Sequence, residues 1–433
     1  MVKQKQVTIV GGGVVGLACA YYLQRQGHAV KVIERNTISD SCASGNAGYV
    51  TPSHFIPLAA PGMIKKGLKW MLNPESPFYI HPKLDLSLMQ WLWKFNQHCH
   101  TKHVNNVKTT LYELCTASKQ LHLELADSIG NSYQLKQNGI YVVTQSDKTL
   151  QEELDIVRQA QALGLNASEV TVQTLRKNFP QMQLNAKGGI FFPEDAHLHP
   201  REFLSALHKH LLAVGVEFTE GYEVISLNVK HNKVKSLECC TIEDGSIVHH
   251  EVEELVIAGG SWSPQLTKQF DLKVPIQAGK GYSVTIDKPW DIDTPIILSD
   301  AAVAITPFEH QIRFGGTMEF AGLDRSISAR RVEGILKSVK RFIPNFDLTN
   351  VDRKIAWSGL RPCTPDGLPL VGRVPRISNA FLAAGHAMLG LTLAPITGKI
   401  ISQLISNQPE FHTDSEELPY KRWQQHLDTK RFS

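Results

Sequence analysis

Three consecutive glycines between a β-rich stretch and an apolar helix constrain this chain more than any other feature. Val7-Thr8-Ile9-Val10 reads as a short strand, Gly11-Gly12-Gly13-Val14-Val15-Gly16 follows, and Val14 to Gln26 reads as an apolar helix ended by Gly27. Val30-Lys31-Val32-Ile33 then supplies a second strand and completes a β-α-β unit. Within the G-x-G-x-x-G spacing, Gly11 permits the tight turn, Gly13 lets backbone approach a pyrophosphate, and Gly16 lets helix and strand pack closely. The helix start adds free amides and a positive dipole. Glu34 ends the second strand, 18 residues after Gly16, where a carboxylate accepts a bond from a ribose hydroxyl. A glycine turn that binds nothing explains the spacing but not both strands, the helix and Glu34 together. The unit is expected to bind a dinucleotide, and alone it does not separate FAD from NAD.

The 433 residues leave room for two or three domains at roughly 150 residues each. With 42% hydrophobic and 20% charged residues the chain builds a core, which excludes disorder. A formal charge of +4 without a dense basic run excludes the footprint of a nucleic-acid binder. Seven cysteines, an odd number without Cys-x-x-Cys spacing, argue against a disulfide framework or a zinc site. The N-terminus runs straight into its strand without the apolar core of a signal peptide, so a cytoplasmic protein is expected. Asn379 to Gly398 holds twenty residues without a formal charge, about the length of a membrane span. Gly385, His386, Gly390 and Pro395 within it favour a strand, a glycine loop and a buried helix.

Along the chain, Pro52, Pro57, Pro61, Pro74, Pro77 and Pro82 predict short helices and turns, and helical spacing of apolar residues predicts a long helix over 101–129. A strand at 140–143, helices over 149–163 and 200–214, an antiparallel meander over 216–258, strands within 274–318, a helix over 328–341 and a closing helix over 395–406 follow. The class is α/β with a substantial antiparallel part.

Three further blocks bear on the cofactor. Ser44-Gly45-Asn46-Ala47-Gly48 can bring amides close to a flat ring, and the buried run Leu255 to Ala258 enters the turn Gly259-Gly260-Ser261-Trp262. Gly359-Leu360-Arg361-Pro362-Cys363-Thr364-Pro365-Asp366-Gly367, followed by Gly385-His386-Ala387-Met388-Leu389-Gly390-Leu391-Thr392, would return the C-terminal segment to the cofactor. With Ala59-Ala60-Pro61-Gly62, Lys69-Trp70 and Lys280-Gly281-Tyr282-Ser283, these blocks resemble the D-amino-acid-oxidase superfamily of FAD oxidoreductases, most closely its bacterial D-amino acid dehydrogenase branch. The resemblance spans nearly the whole chain and is weakest around residues 130–195.

That resemblance implies a Rossmann-like, glutathione-reductase-like FAD-binding domain built from 1–55, 196–271 and 351–423, an interleaved α+β substrate domain with an antiparallel sheet from 56–195 and 272–350, and a tail over 424–433. It implies non-covalent FAD, with pyrophosphate over Gly11 to Gly16, Glu34 on the ribose, and Arg35 and Val224 on the adenine side. Ala258, Gly259 and Trp262 would lie by the adenosine-to-phosphate region, Asn46, Ala47 and Gly48 by the flavin ring, and Leu389 to Thr392 at its pyrimidine edge. Amides at a helix start there would stabilise charge that accumulates on reduction. Cys363 falls after Arg361, out of the register of a covalent link.

The implied reaction is oxidative deamination of a D-amino acid, with Cα–H passing as hydride to the flavin and an imino acid hydrolysing to a 2-oxo acid and ammonia. Arg361 would grip the carboxylate through two parallel bonds. Tyr282 would present a hydroxyl to the substrate. His54, and also His386, would contact substrate or flavin, neither being required as a base. Electrons would pass to a quinone or other carrier. Ile56, Leu58, Met63, Ile64, Leu68, Trp70, Met71 and Leu72 with Lys65, Lys66 and Lys69, followed by Trp91 and Trp93, form a basic amphipathic stretch. It reads equally as a peripheral membrane contact that receives quinone and as a lid with a solvated lysine face. Other readings are a D-hydroxyproline or proline-type dehydrogenase, a glycine or sarcosine-type amine oxidase, an NAD-dependent dehydrogenase, which leaves the Arg361 and Gly385 blocks unassigned, and a non-catalytic flavoprotein subunit.

Overall fold

Strands buried on both faces pair in parallel when helices cover them, and the N-terminal unit does so. β1 (Gln6–Val10) and β2 (Ala29–Glu34) pair in parallel across helix α1 (Val14–Arg25). A computed structural model describes residues 3–71, 75–81, 85–349, 351–406 and 420–433; Leu72, Pro74 and Pro82 lie outside these. Glu254–Ile257 joins β1, Ala380–Ala384 joins Glu254–Ile257, and Glu217–Glu220 joins β2, all in parallel, while Leu370–Arg373 closes one edge antiparallel. The meander expected over 216–258 is therefore split. Only Tyr222–Lys230, Lys233–Thr241 and Ile247–Glu251 form an antiparallel sheet. Glu254–Ile257 is buried at every position, and a run without alternation suits the interior of a parallel sheet.

A second, nine-stranded sheet runs in the order Trp357–Cys363, Gln277–Asp287, Gln311–Phe320, Val303–Pro307, Ile296–Leu298, Ile140–Thr144, Gly188–Phe192, Ser168–Val170, with Phe78–Ile80 beside Gln311–Phe320. The Arg361 strand thus belongs to this sheet, although 351–423 was expected to lie wholly in the FAD domain. It pairs antiparallel with Gln277–Asp287, Arg361 opposite Gly279. A two-stranded ribbon of Tyr49–Val50 and Ala196–His197 links the parts.

The long helix α4 (Thr101–Ile129) was assigned by sequence to the substrate domain, yet Leu114, Cys115, Leu121 and Leu125 join the core of the first sheet. The closing helix explains this placement. It begins at Gly390 rather than Pro395, so Pro395 lies inside it and cannot donate to the Leu391 carbonyl four residues back. His122 Nε2 of α4 donates to that carbonyl at 3.0 Å, and Ser118 Oγ accepts from Ile396 N at 3.2 Å. Gly398 meets α1 so closely that an added Cβ would stand 2.5 Å from the Ala18 carbonyl. By length and composition alone Ala387–Ser406 is apolar enough to cross a membrane, but 72% of its apolar window is buried in the fold.

The stretch 424–433, read as a tail, is held in place. Leu427 lies in the first core, and Arg431 reaches Asp366 at 2.6 and 3.1 Å and the carbonyls of Leu368 and Pro369 at 2.5 and 3.0 Å. Burial alone would raise the Asp366 carboxyl; the Arg431 charge and hydrogen bonds outweigh it and hold the group below its usual value. A depressed carboxyl contributes stability above the unfolded value of 3.8 and loses it as pH falls. Arg431→Ala leaves that carboxylate buried and unpaired, and is expected to cost about 3–5 kcal/mol in urea unfolding at pH 7. The difference from wild type should shrink as the pH is lowered toward 3.

Candidate active site

Two cavities adjoin at Cys42, which lines both. The smaller, about 160 Å³, gathers Gly11, Gly13, Glu34, Arg35, Val224, Ala258, Gly259 and Trp262. Gly11 has φ +109°, and an added Cβ would stand 2.5 Å from the Ala258 carbonyl, so the turns that follow β1 and Glu254–Ile257 meet there without side chains between them. Gly16 does not line the cavity; its added Cβ would stand 1.9 Å from the Gly11 carbonyl, which is the close helix–strand packing expected of it. Val14 and Val15 likewise pack into or against the core. The start of α1 carries no side-chain cap and no acid in its first turn, leaving its amides to an anion. Glu34 accepts from Gly12 N at 2.6 Å and Asn36 N at 3.0 Å, which fixes the carboxylate at the cavity wall. The Arg35 guanidinium lies 4.8 Å over the Trp262 ring and 3.6 Å from Glu223. Arg325 and Asp40, 285 residues apart and not foreseen, pair across the same cavity at 3.0 and 3.1 Å.

The larger cavity, about 690 Å³, is lined by Asn46, Ala47, His54, Tyr282, Gly359, Arg361, Leu389 and Thr392 among the expected residues. Its floor owes its shape to a clamp on the 44–47 loop. Arg313 Nη1 donates to the carbonyls of Ser44 and Asn46 at 3.3 and 2.7 Å, Ser283 Oγ to Gly45 at 2.9 Å, and Thr306 Oγ1 to Ala47 at 2.7 Å. With the carbonyls turned to the second sheet, the amides of Gly45 and Ala47 have no protein partner among the described residues. These unpaired amides and the uncapped α1 start fit FAD, whose ring and phosphates need such donors, and the Glu34 carboxylate stands at the wall of the smaller cavity. Ser44 itself is buried outside the lining, and Gly48 (φ +85°) turns the chain where a Cβ would meet the Leu198 carbonyl at 2.2 Å.

Arg361 is half-buried on the cavity wall, and its guanidinium lies across Gly281 of the neighbouring strand, where an added Cβ would come within 2.3 Å of both terminal nitrogens. Opposite Gly281 the ladder jumps from Lys280–Glu319 to Tyr282–Gly316, and Thr317 takes φ +70°, unfavourable for a β-branched residue. This bulge aims the Thr317 carbonyl at Arg361 Nη1, 2.7 Å away. Among the described residues no carboxylate pairs with Arg361; burial lowers its pKa.

Several expectations are corrected. Tyr282 contributes its ring to the wall, but its hydroxyl donates to Glu319 at 2.7 Å, and Lys280 stands 3.6 Å from Glu319 and 2.9 Å from Asp324, so the hydroxyl is committed to a buried network. His386 is a core residue away from both cavities, with Nε2 2.9 Å from Thr397 Oγ1 and a pKa lowered by burial to about 3. Gly385, Gly390 and Leu391 shape the approach to the closing helix without lining the cavity. Cys363 is buried outside both linings, and burial pushes its thiol up to about 12. Trp357, Tyr49, Thr317 and Cys42 line the cavity without having been anticipated. Trp357 stands two residues before Gly359, at the edge of the glycine- and proline-rich stretch that holds Arg361; nothing local marks Cys42.

A family model described as FAD dependent oxidoreductase, DAO, matches residues 6–404. The chain is 31% identical over 415 residues to a D-amino acid dehydrogenase of Vibrio atlanticus (strain LGP32) and 32% identical over 415 residues to one of Granulibacter bethesdensis; each alignment covers 93% of this chain and 96% of the relative. Among solved structures, glycine oxidase from Geobacillus kaustophilus superposes with a TM-score of 0.76 at 20% identity over 100% of both chains, a likeness of fold. The chain belongs to the DAO family of FAD-dependent oxidoreductases, and FAD is its cofactor.

Glu34→Ala is expected to weaken FAD binding about 10- to 100-fold, the worth of a bond to a charged acceptor, when apoprotein is titrated with FAD and flavin fluorescence quenching is followed. Retained wild-type affinity would remove Glu34 from the ribose.

Proposed function

We propose that the protein is a D-amino acid dehydrogenase that converts D-amino acids to imino acids, hydrolysed in water to 2-oxo acids and ammonia. The observation that carries this reading is Arg361: a guanidinium without a carboxylate partner among the described residues, lying in the wall of a largely apolar cavity. A carboxylate entering there finds a planar fork of donors held by the Thr317 carbonyl and given space by Gly281. FAD, when bound, supplies the hydride acceptor. The chain's own part is to fix the carboxylate, orient Cα and exclude water, which raises the worth of each polar contact.

Beyond Arg361 the wall is formed by Met63, Ile64, Trp70, Phe78, Trp91, Phe95 and Phe320, and no Asp, Glu or Lys lines it among the described residues. This supports a preference for apolar and aromatic side chains. Helices α2 (Met63–Met71) and α3 (Leu86–His98) carry five of these residues and also expose Leu68, Leu86, Met89 and Trp93, with Lys65, Lys66 and Lys69 on α2. Such a rim suits an anionic membrane surface, and we take it as the place where the enzyme, on the cytoplasmic face of the inner membrane, passes electrons to a quinone.

Anaerobic mixing of the holoenzyme with D-, L- and cyclic amino acids tests the reading. Rapid bleaching by apolar D-amino acids and slow reoxidation in oxygen relative to a quinone analogue are expected. Bleaching by L-amino acids alone would overturn it. Arg361→Ala should lower the second-order rate of reduction by about 100-fold or more, since it removes a desolvated ionic partner. D-phenylalanine or D-methionine should outpace D-glutamate by at least 100-fold, because a buried, unpaired side-chain carboxylate is costly; comparable rates would contradict the assignment of the wall.

A further inference from the structure

An amino acid enters at neutral pH as an ammonium, and its nitrogen must lose a proton before its lone pair can assist departure of the Cα hydride. Arg361 is a permanent cation, the Tyr49 hydroxyl is pushed far above neutrality by burial, and the Tyr282 hydroxyl is tied to Glu319. His54 is the one remaining basic side chain in the wall among the described residues.

We propose that His54, Ser53 and Asp195 form a proton relay that receives the ammonium proton of the substrate and holds it on the buried carboxylate until product leaves. The proposal rests on the amino acid oxidation set out above. Its geometry comes from the ribbon of Tyr49–Val50 and Ala196–His197, which brings Ser53 and Asp195 together across 142 residues of sequence. Ser53 Oγ donates to Asp195 Oδ2 at 2.5 Å, and Ser53 N donates to Oδ1 at 3.1 Å. Since the single hydroxyl hydrogen of Ser53 is engaged with Asp195, its oxygen accepts from His54 Nδ1, 3.2 Å away. That arrangement sets the tautomer: Nδ1 carries hydrogen, and Nε2 keeps its lone pair. Nε2 has no protein partner among the described residues.

In the transfer an ammonium N–H bond breaks as an Nε2–H bond forms. Nδ1–H passes to Ser53 Oγ as the Ser53 proton passes to Asp195. One proton has then moved from substrate to carboxylate, no electron has moved in this step, and the amine lone pair is free. After product leaves, the proton returns along the same chain to water and the original tautomer is restored.

Asp195 is fully buried, and no ion pair closes on it among the described residues. Lys119 and Cys115 on α4, Tyr49 on its strand and the adjacent Glu194 are the titratable groups around it. Burial is the largest influence on the carboxyl and raises it to about 7, against the lowering by the Ser53 bonds and Lys119. Burial lowers the His54 imidazole to about 4, so it hands a proton on rather than keeping it.

The test is stopped-flow flavin reduction in anaerobic holoenzyme from pH 5 to 10, with D-alanine and with a β-fluorinated analogue whose ammonium is more acidic. Wild type should show a rate that rises through about pH 7. Ser53→Ala and Asp195→Asn, the latter matching the protonated carboxyl in shape, should move that rise up to the substrate amine's own value and slow reduction at pH 7 by about 10²–10⁴-fold. The fluorinated substrate should recover most of this loss, which a merely structural role would not allow. Variants that keep the wild-type pH profile, or that slow equally with both substrates, would overturn the relay alone. A wild type not reduced by any D-amino acid would overturn the reaction and the relay with it.

Discussion

Four successive carbonyls, from Ser44 to Ala47, are held by Arg313, Ser283 and Thr306 of the second sheet. On this clamp the rest of the molecule turns. The loop follows β2 of the parallel sheet, and the clamping side chains stand on strands of the other, so the contact ties the two sheets together. Arg313 is almost wholly buried and has no carboxylate partner among the described residues; the carbonyl dipoles and the Phe308 ring, 5.0 Å away, meet its charge. Burial, and then the charge of Arg201, bring its pKa down to about 9. The amides of Gly45 and Ala47 stay without a protein partner among the described residues, on a stretch that lines the larger cavity.

The substrate side uses an equally economical device. A strand that carries arginine lies beside one that carries glycine, so a guanidinium can rest flat on backbone rather than be lifted by a Cβ. The bulge next to it rotates one carbonyl, that of Thr317, onto the guanidinium and restrains it without neutralising its charge. An acidic side chain in that position would have held Arg361 more tightly and left no charge for a ligand carboxylate. Around this single fork the wall is largely apolar, which strengthens an ionic contact made inside it.

Local patterns were legible where the physics is local. The β-α-β unit, the turn at Gly11 and the 101–129 helix follow from spacing, capping and glycine stereochemistry that act within a few residues. Arg361, Asn46, Ala47 and Glu34 could be chosen because each sits in a short block whose composition suits its task. Tyr282 and His386 were misjudged because a side chain's partner decides its role, and Glu319 and Thr397 are met only after folding. The same holds for α4, placed by His122 reaching a carbonyl that Pro395 leaves unpaired. Ser53 and Asp195 gave no local sign at all.

The amino acid order therefore dictated a dinucleotide site at the N-terminus, an arginine in a proline- and glycine-rich strand, and the chemistry these groups permit. Folding settled which residues meet: that Arg361 and residues 45–47 line one cavity, that Ser53 joins Asp195 to His54, and that the last residues lock onto Asp366. Such pairings depend on strand register and burial, quantities that belong to contacts between distant segments and are written in no single stretch of the chain.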